Sequence, residues 1–196
     1  MTSAIFLDRD GTLNEEMGYI NHPQRLHIFP FAAESVKIFN QLGYKVIVVT
    51  NQSGIARGYF SEDLLKDIHM QMQKEIEDEG GHIDAFYYCP HHPTEGHTPY
   101  RINCSCRKPK AGMIKQAVRD FQIRLETSYG IGDRYKDILF ARQNKMQSGF
   151  VLTGYGQGEF EYQRDKWEVF PDIVGENLLD LARKIRNKGQ IVLLTP

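Results

Sequence analysis

"AIFLDRDGTLNEE", residues 4–16, carries a short apolar run straight into two carboxylates, Asp8 and Asp10, with Gly11 and Thr12 behind them. Ala4 to Leu7 is too short for a helix, and its apolar residues, led by Ile5 and Phe6, predict a buried strand. A buried strand that delivers two acids to its tip is costly unless a cation meets them. The stretch therefore predicts a strand that ends in a charged site.

The same grammar repeats outward from it. "KVIVVTNQSG" (45–54), "IDAFYYC" (83–89), "TSYGIGD" (127–133) and "GFVLTG" (149–154) read as strands, and "FPDIV" (170–174) closes the series. Helical spacing separates them. Ala33, Val36, Phe39 and Leu42 share a face within 31–42, which stops at Gly43. Ser61 can cap a helix whose first turn carries Glu62 and Asp63, running to Glu79 and the Gly80-Gly81 stop. Further helices are expected at 111–121, 136–144 and 178–185, and "QIVLLTP" (190–196) reads as a last strand or a loose tail. Tyr155–Phe170 reads as a packed return or a partner surface. This alternation predicts an α/β fold: a Rossmann-like, doubly wound parallel sheet with helices on both faces. One domain is expected over residues 1–190. In such sheets ligands bind beyond the carboxyl ends of the strands. Asp8 and Asp10, Thr50 and Asn51, and Asp133 would meet there.

Composition excludes several classes. With 24 basic and 25 acidic residues among 196, the net charge of -1 gives no global attraction to nucleic acid or an anionic membrane. No apolar run approaches a membrane span, and the apolar start is too short for a signal-peptide core. A cytoplasmic monomer acting on a small molecule is the expectation. Three cysteines, Cys89, Cys104 and Cys106, crowd one segment and suit a metal better than a disulfide framework.

Two acids two residues apart, with Asp133 as a distant third, form a hard-oxygen set suited to Mg²⁺. One carboxylate could attack phosphorus and form an aspartyl-phosphate. It would meet repulsion of roughly 4 kcal/mol per like-charged pair at about 4 Å and an effective dielectric of ~20. Mg²⁺ and Lys108 would offset that, while Thr50, Asn51 and backbone N–H groups hold the phosphoryl oxygens. Asp10 would protonate the leaving alkoxide and then activate water. Gly130-x-Gly132 lacks the third glycine of a dinucleotide site.

"FLDRDGT", "VVTNQSG", "CRKP" and "GDRYKD", in that order, resemble the haloacid dehalogenase superfamily over nearly the whole chain. "TNQSGIARG" with "YYCPHHP" and Cys-x-Cys is most similar to its heptose 1,7-bisphosphate 7-phosphatase branch, a relative of the histidinol-phosphate phosphatases. The resemblance implies a nucleophile and Mg²⁺ ligand at Asp8. Asp10 would be the acid/base, with its carbonyl on the metal, and Asp133 the third protein ligand. Thr50 and Lys108 would bind the phosphoryl group, and Asp137 would support the geometry. Glu16 to Tyr19, Asn51, Gln52, Ser53, Arg57, Arg107 and Arg134 would contact the substrate. The chain departs from the family at Lys110-Ala111, where a second proline is common, and at Arg134, where a lysine is common.

The segment 89–107 reads Cys89-x-His91, then Cys104-x-Cys106, a donor set for tetrahedral Zn²⁺ in a closed structural site. His92 and His97 compete as the fourth ligand; the resemblance favours His91. Having few apolar residues, this loop needs a metal to order it, and the metal would fix Arg107 and Lys108 beside it. The short stretch between Asp10 and Thr50 leaves no room for a large cap domain. The implied reaction removes the 7-phosphate of D-glycero-D-manno-heptose 1,7-bisphosphate on the way to ADP- or GDP-heptose. Histidinol phosphate is the alternative substrate, but Arg57, Arg107, Lys110 and Arg134 suit a bisphosphate better than a cationic ester. A non-catalytic zinc-stabilised binding protein would have lost one of Asp8, Asp10, Lys108 or Asp133, and none is lost.

Overall fold

The strand Ala4–Leu7 (β1) has every residue buried, Ala4 and Phe6 against one layer of helices and Ile5 and Leu7 against the other. Lys45–Asn51 (β2) repeats the pattern, with Val46 and Val48 on one face and Ile47 and Val49 on the other. Strands apolar on both faces are those of a parallel sheet covered twice. The structure, a computed structural model, describes the backbone of residues 1–193 and the side chains of residues 1–188.

The remaining strands are Ala85–Cys89 (β3), Tyr129–Gly132 (β4), Gln147–Val151 (β5) and Ile173–Gly175 (β6). All pairings are parallel, in the order β3-β2-β1-β4-β5-β6. Leu7 lies in register with Val48 on one side and Ile131 on the other. The chain winds outward from β1 to β3, then returns to β4 on the opposite side. The switch point between β1 and β4 is where such sheets open a crevice.

Ala32–Gln41 (α1), Glu62–Asp78 (α2) and Leu178–Leu193 (α6) cover one face. Gly112–Phe121 (α3) and Tyr135–Gln143 (α4) cover the other through Met113, Ile114, Phe140 and Ala141. Burying each of Met113, Ile114 and Phe140 contributes about 1.5–3 kcal/mol. The expected caps form. Ser61 accepts from Leu64 N at 3.1 Å, and α1 stops at Gly43, whose φ of +82° suits only a residue without Cβ. The β1–β2 connection holds one 3₁₀ turn, Pro23–Arg25, and α1, with no cap domain between them.

Most boundaries shift by one to three residues, and three regions differ in kind or extent. A helix, Gly156–Tyr162 (α5), follows β5, and Trp167 stacks on Tyr135 with centroids 5.1 Å apart while meeting Phe150 edge-on. The 155–170 segment is thus packed against the sheet around Trp167. The strand expected at 149–154 begins earlier and ends at Val151, before the Thr153–Gly154 turn. Of 190–196, read as a last strand or a loose tail, residues 190–193 instead continue α6; 194–196 lie outside the described residues. Among the described residues no helix is long and apolar enough to cross a membrane.

Candidate active site

β1 presents Asp8 at its tip, locked by a hydrogen bond from its backbone N to Ile131 O at 2.9 Å. β4 presents Asp133 beside it, and the first turn of α4 contributes Asp137. One carboxylate oxygen from each of Asp8, Asp133 and Asp137 lies within 4.8 Å of the others, and all three residues are buried.

One cation answers two of these charges directly. Lys108 Nζ stands 3.0 Å from Asp8 Oδ2 and 2.8 Å from Asp137 Oδ1, and its side chain is 1% exposed. Burial alone would raise Asp8, but the charges of Lys108 and then Lys136, with hydrogen bonds from Lys108 and the Arg9 backbone, pull its pKa below the usual value. Lys108 stays above its ordinary value, because Asp137 and Asp8 outweigh the cost of burial. Asp133 has no such partner. Burial, followed by the charges of Asp8 and Asp137, pushes it up to about 8. Its Oδ2 accepts from Tyr155 N at 2.9 Å, while the buried Oδ1 has no hydrogen-bond partner among the described residues.

Backbone crowds this acid. A Cβ on Gly11 would stand 2.2 Å from Asp133 Oδ2, and one on Gly154 2.3 Å from the same atom. The glycines let two loops close around a carboxylate that has one unpartnered oxygen and two other carboxylates beside it. An orphaned buried oxygen within such a triad is the donor chemistry of a hard divalent cation. The residues fit Mg²⁺.

Asp10 lies on the same tip but points elsewhere. Arg9, 1% exposed, gives it hydrogen bonds from Nε at 3.1 Å and from one terminal nitrogen at 2.9 and 3.0 Å. Asn14 Nδ2 and Gln52 Nε2 donate to it at 3.1 and 2.8 Å. Gln52 also donates to Thr50 Oγ1 at 2.9 Å, tying the expected phosphoryl-binding hydroxyl to the expected acid/base. Asn51 acts on the lysine: its Oδ1 accepts from Lys108 N at 3.0 Å and its Nδ2 donates to Lys108 O at 3.2 Å.

A cavity of about 240 Å³ opens above these groups. Of the residues expected at the substrate, Glu16, Tyr19, Asn51, Ser53, Arg107 and Arg134 line it, with Asp8, Asp10, Thr50 and Asp133. Gln52 and Arg57 do not. The amide of Gln52 is taken up by Asp10 and Thr50, and Arg57 turns to Glu95 at 3.6 Å. Lys110 donates to Asn103 and Cys104 O rather than reaching the cavity. Two further residues line it, Lys136 and Tyr155. Lys136 sits inside the "GDRYKD" motif, and its position between Asp133 and Asp137 was the available signal. Tyr155 carried none.

The cysteine loop converges as its spacing predicts. The Sγ atoms of Cys89, Cys104 and Cys106 lie 3.1–3.5 Å apart, and His91 Nδ1 stands 3.3 Å from Cys106 Sγ. Sulfurs tetrahedrally bound to one zinc at 2.3 Å would be about 3.8 Å apart, whereas a disulfide needs about 2 Å. The set fits Zn²⁺ in a closed site. His92 instead caps the turn at Thr94 and Glu95, and His97 lies outside the cluster. Arg107 donates to the backbone carbonyl of His91 at 3.1 Å, linking this cluster to the cavity wall.

A charged triad at the switch point of a parallel sheet, with a buried lysine across it, defines a phosphoryl-transfer site of the haloacid dehalogenase type. Residues 105–181 match the HAD-hydrolase-like family. The D-glycero-beta-D-manno-heptose-1,7-bisphosphate 7-phosphatase of Pasteurella multocida (strain Pm70) is 43% identical over 180 residues, covering 89% of this chain and 97% of that protein. The enzyme of the same name from Haemophilus ducreyi (strain 35000HP) is 45% identical over 186 residues, covering 91% and 96%. The D,D-heptose 1,7-bisphosphate phosphatase of B. bronchiseptica, solved with magnesium and phosphate, superposes with a TM-score of 0.82 at 29% identity, covering 95% of this chain and 99% of that one. The chain belongs to the haloacid dehalogenase-like hydrolases, in the family of heptose-1,7-bisphosphate 7-phosphatases.

Proposed function

We propose that this protein removes the 7-phosphate of D-glycero-D-manno-heptose 1,7-bisphosphate, with the β anomer named for its relatives as the substrate, through an aspartyl-phosphate on Asp8. The observation that carries the reading is the contact of Lys108 Nζ with Asp8 Oδ2 at 3.0 Å, beside the carboxylate triad. Asp8 is held ionised, as a nucleophile must be. Asp8, the Asp10 backbone and Asp133 would hold Mg²⁺, which when bound neutralises carboxylates and phosphoryl oxygens alike.

This chain's own residues do the rest. Thr50 and Lys108 bind the phosphoryl oxygens, and Asn51 fixes the backbone that carries Lys108. The bond from phosphorus to the sugar oxygen breaks as the bond to Asp8 forms. Asp10 gives its proton to the leaving alkoxide, then takes one from the water that attacks phosphorus and frees Asp8. For this, Asp10 must exchange part of its Arg9, Asn14 and Gln52 bonding for the substrate. Cys89, His91, Cys104 and Cys106 would hold Zn²⁺, which keeps Arg107 on the cavity wall.

Turnover of heptose 1,7-bisphosphate, fructose 1,6-bisphosphate and histidinol phosphate, compared side by side with Mg²⁺, tests the assignment. The heptose bisphosphate is expected to have the highest kcat/KM. A preference for histidinol phosphate would overturn it.

A further inference from the structure

His69 is buried on α2 beside Leu65, Ile68 and Met72, on a helix face that otherwise meets the core with apolar side chains. The reaction above does not use it. Its ring stacks on Phe86 of β3, with centroids 4.6 Å apart and planes 19° from parallel, and meets Tyr88 edge-on at 6.0 Å. An apolar residue would fill that place at less cost, because a buried imidazole must find a polar partner. The partner is Arg9, whose Nη1 lies 3.4 Å from His69 Nε2.

Arg9 stands between this histidine and the catalytic acid. Its Nε and Nη2 both donate to Asp10, which leaves Nη1 of the rigid fork turned toward His69. A guanidinium only donates, so His69 Nε2 is the acceptor and the ring proton sits on Nδ1. Burial, then the charge of Arg9, push His69 down to about 3, so it stays neutral and able to accept above that pH. Asp10 lines the cavity, whereas Arg9 and His69 stand behind it, with the Arg9 side chain 1% exposed. Asp10 loses and regains a proton in each turnover, and its hold on Arg9 is weakest while it is neutral. An anchor on the far nitrogen keeps the guanidinium plane in place through that interval.

Resting on the reading of Asp10 as acid and base, we propose that His69 is a positioning residue for the reaction: it fixes Arg9, and through Arg9 the carboxyl group that protonates the leaving alkoxide. A side chain on α2, outside every sequence motif of the site, then takes part in setting the geometry of proton transfer.

The test uses the leaving group. A sugar alkoxide needs a proton to depart, whereas p-nitrophenolate leaves without one. kcat/KM for heptose 1,7-bisphosphate and for p-nitrophenyl phosphate is measured with Mg²⁺ in the wild type, His69→Phe, His69→Gln and Asp10→Asn. His69→Phe keeps a ring on Phe86 and removes the acceptor. It should lower the heptose-to-aryl ratio about tenfold, a part of the roughly 10²–10⁴-fold that a positioned acid supplies, through kcat with KM for the heptose ester little changed. His69→Gln, whose amide oxygen accepts a hydrogen bond, should keep most of the ratio. Because both esters are read on one sample, a smaller folded fraction does not alter the ratio. An equal loss for both esters in His69→Phe, an unchanged ratio while Asp10→Asn lowers it, or a loss in His69→Gln as large as in His69→Phe overturns the inference alone. If Asp10→Asn leaves the ratio unchanged, or the wild type does not hydrolyse the heptose ester, the underlying reading fails and this inference with it.

Discussion

The catalytic edge and the cysteine loop hold charged and polar groups in place by opposite means. At the edge, Asp8, Asp133 and Asp137 are fixed by strands and a helix whose other residues are core, so the fold itself imposes the unfavourable proximity of the acids. In the loop, residues 90–107 bury few side chains; they are tied down by bonds such as Tyr100 to Glu62 and His97 N to Ala56 O, and converge on one donor set. The two meet at adjacent residues: Cys106 belongs to the loop's cluster and Lys108 to the catalytic floor. Rigidity borrowed from a core and rigidity that a bound metal would supply are thus joined within three residues.

The comparison breaks most visibly at Asp8. Asp8→Asn is expected to lower kcat by at least about 10³-fold, on the scale seen when a nucleophile is removed, while the melting temperature falls. The fall would follow because Asp8, held below its usual pKa by Lys108, stabilises the fold in its charged form. Kinetics and thermal unfolding on the same sample check both halves. Lys108→Met should cost more stability. It strands Asp8 and Asp137 as buried charges, and removing one partner of such a set costs about 3–5 kcal/mol, measurable by denaturant unfolding.

The loop answers to a different perturbation. Chelating the Zn²⁺ proposed for it, with Mg²⁺ restored afterwards, should raise hydrogen exchange in 90–107 and leave β1, β2 and β4 protected. Turnover should fall about tenfold, with KM rising more than kcat falls, because Arg107 is released before Lys108, which Asn51 still holds. Exchange rising equally throughout the sheet would show that the two regions are not independently supported. Gln52→Ala should lower kcat about tenfold or less with KM little changed, since Gln52 aligns Asp10 and Thr50 without lining the cavity. As the smallest effect, Ser61→Ala should cost about 1 kcal/mol through loss of one helix cap and leave kinetics alone.

What the sequence disclosed follows the same division. β1 and β2 were legible because burial on both faces demands unbroken apolar runs, and the acids at their tips stand out against that background. α1 and α2 were legible through Gly43, Ser61 and the Gly80-Gly81 stop. α5 was not: "GQGEFEY" has two glycines and little apolar periodicity, and its helix is supported by contacts from other elements, Glu159 with Arg134 and Phe160 with Phe150. At the site, residue types and order exposed Asp8, Asp133, Lys108 and the cysteine cluster; the third carboxylate beside them is Asp137, read from the sequence only as support, and not the side chain of Asp10, which turns to Arg9. The direction of side chains in the 50–58 loop was hidden. Gln52 and Arg57 share a motif with Thr50 and Ser53, yet one turns inward to Asp10 and the other outward to Glu95. The place of Lys136 in the "GDRYKD" motif was visible, but its direction was hidden for a similar reason, because only the start of α4 turns it to the cavity.

The central claim is that Asp8 carries the phosphoryl group between two half-reactions. Rapid acid quench during turnover, borohydride reduction and peptide mass spectrometry test it directly, because reduction of an aspartyl-phosphate leaves homoserine at the esterified position. The account predicts homoserine at residue 8 alone, and none in Asp8→Asn. Homoserine at residue 10, or none at all in an enzyme quenched at full turnover, would contradict it.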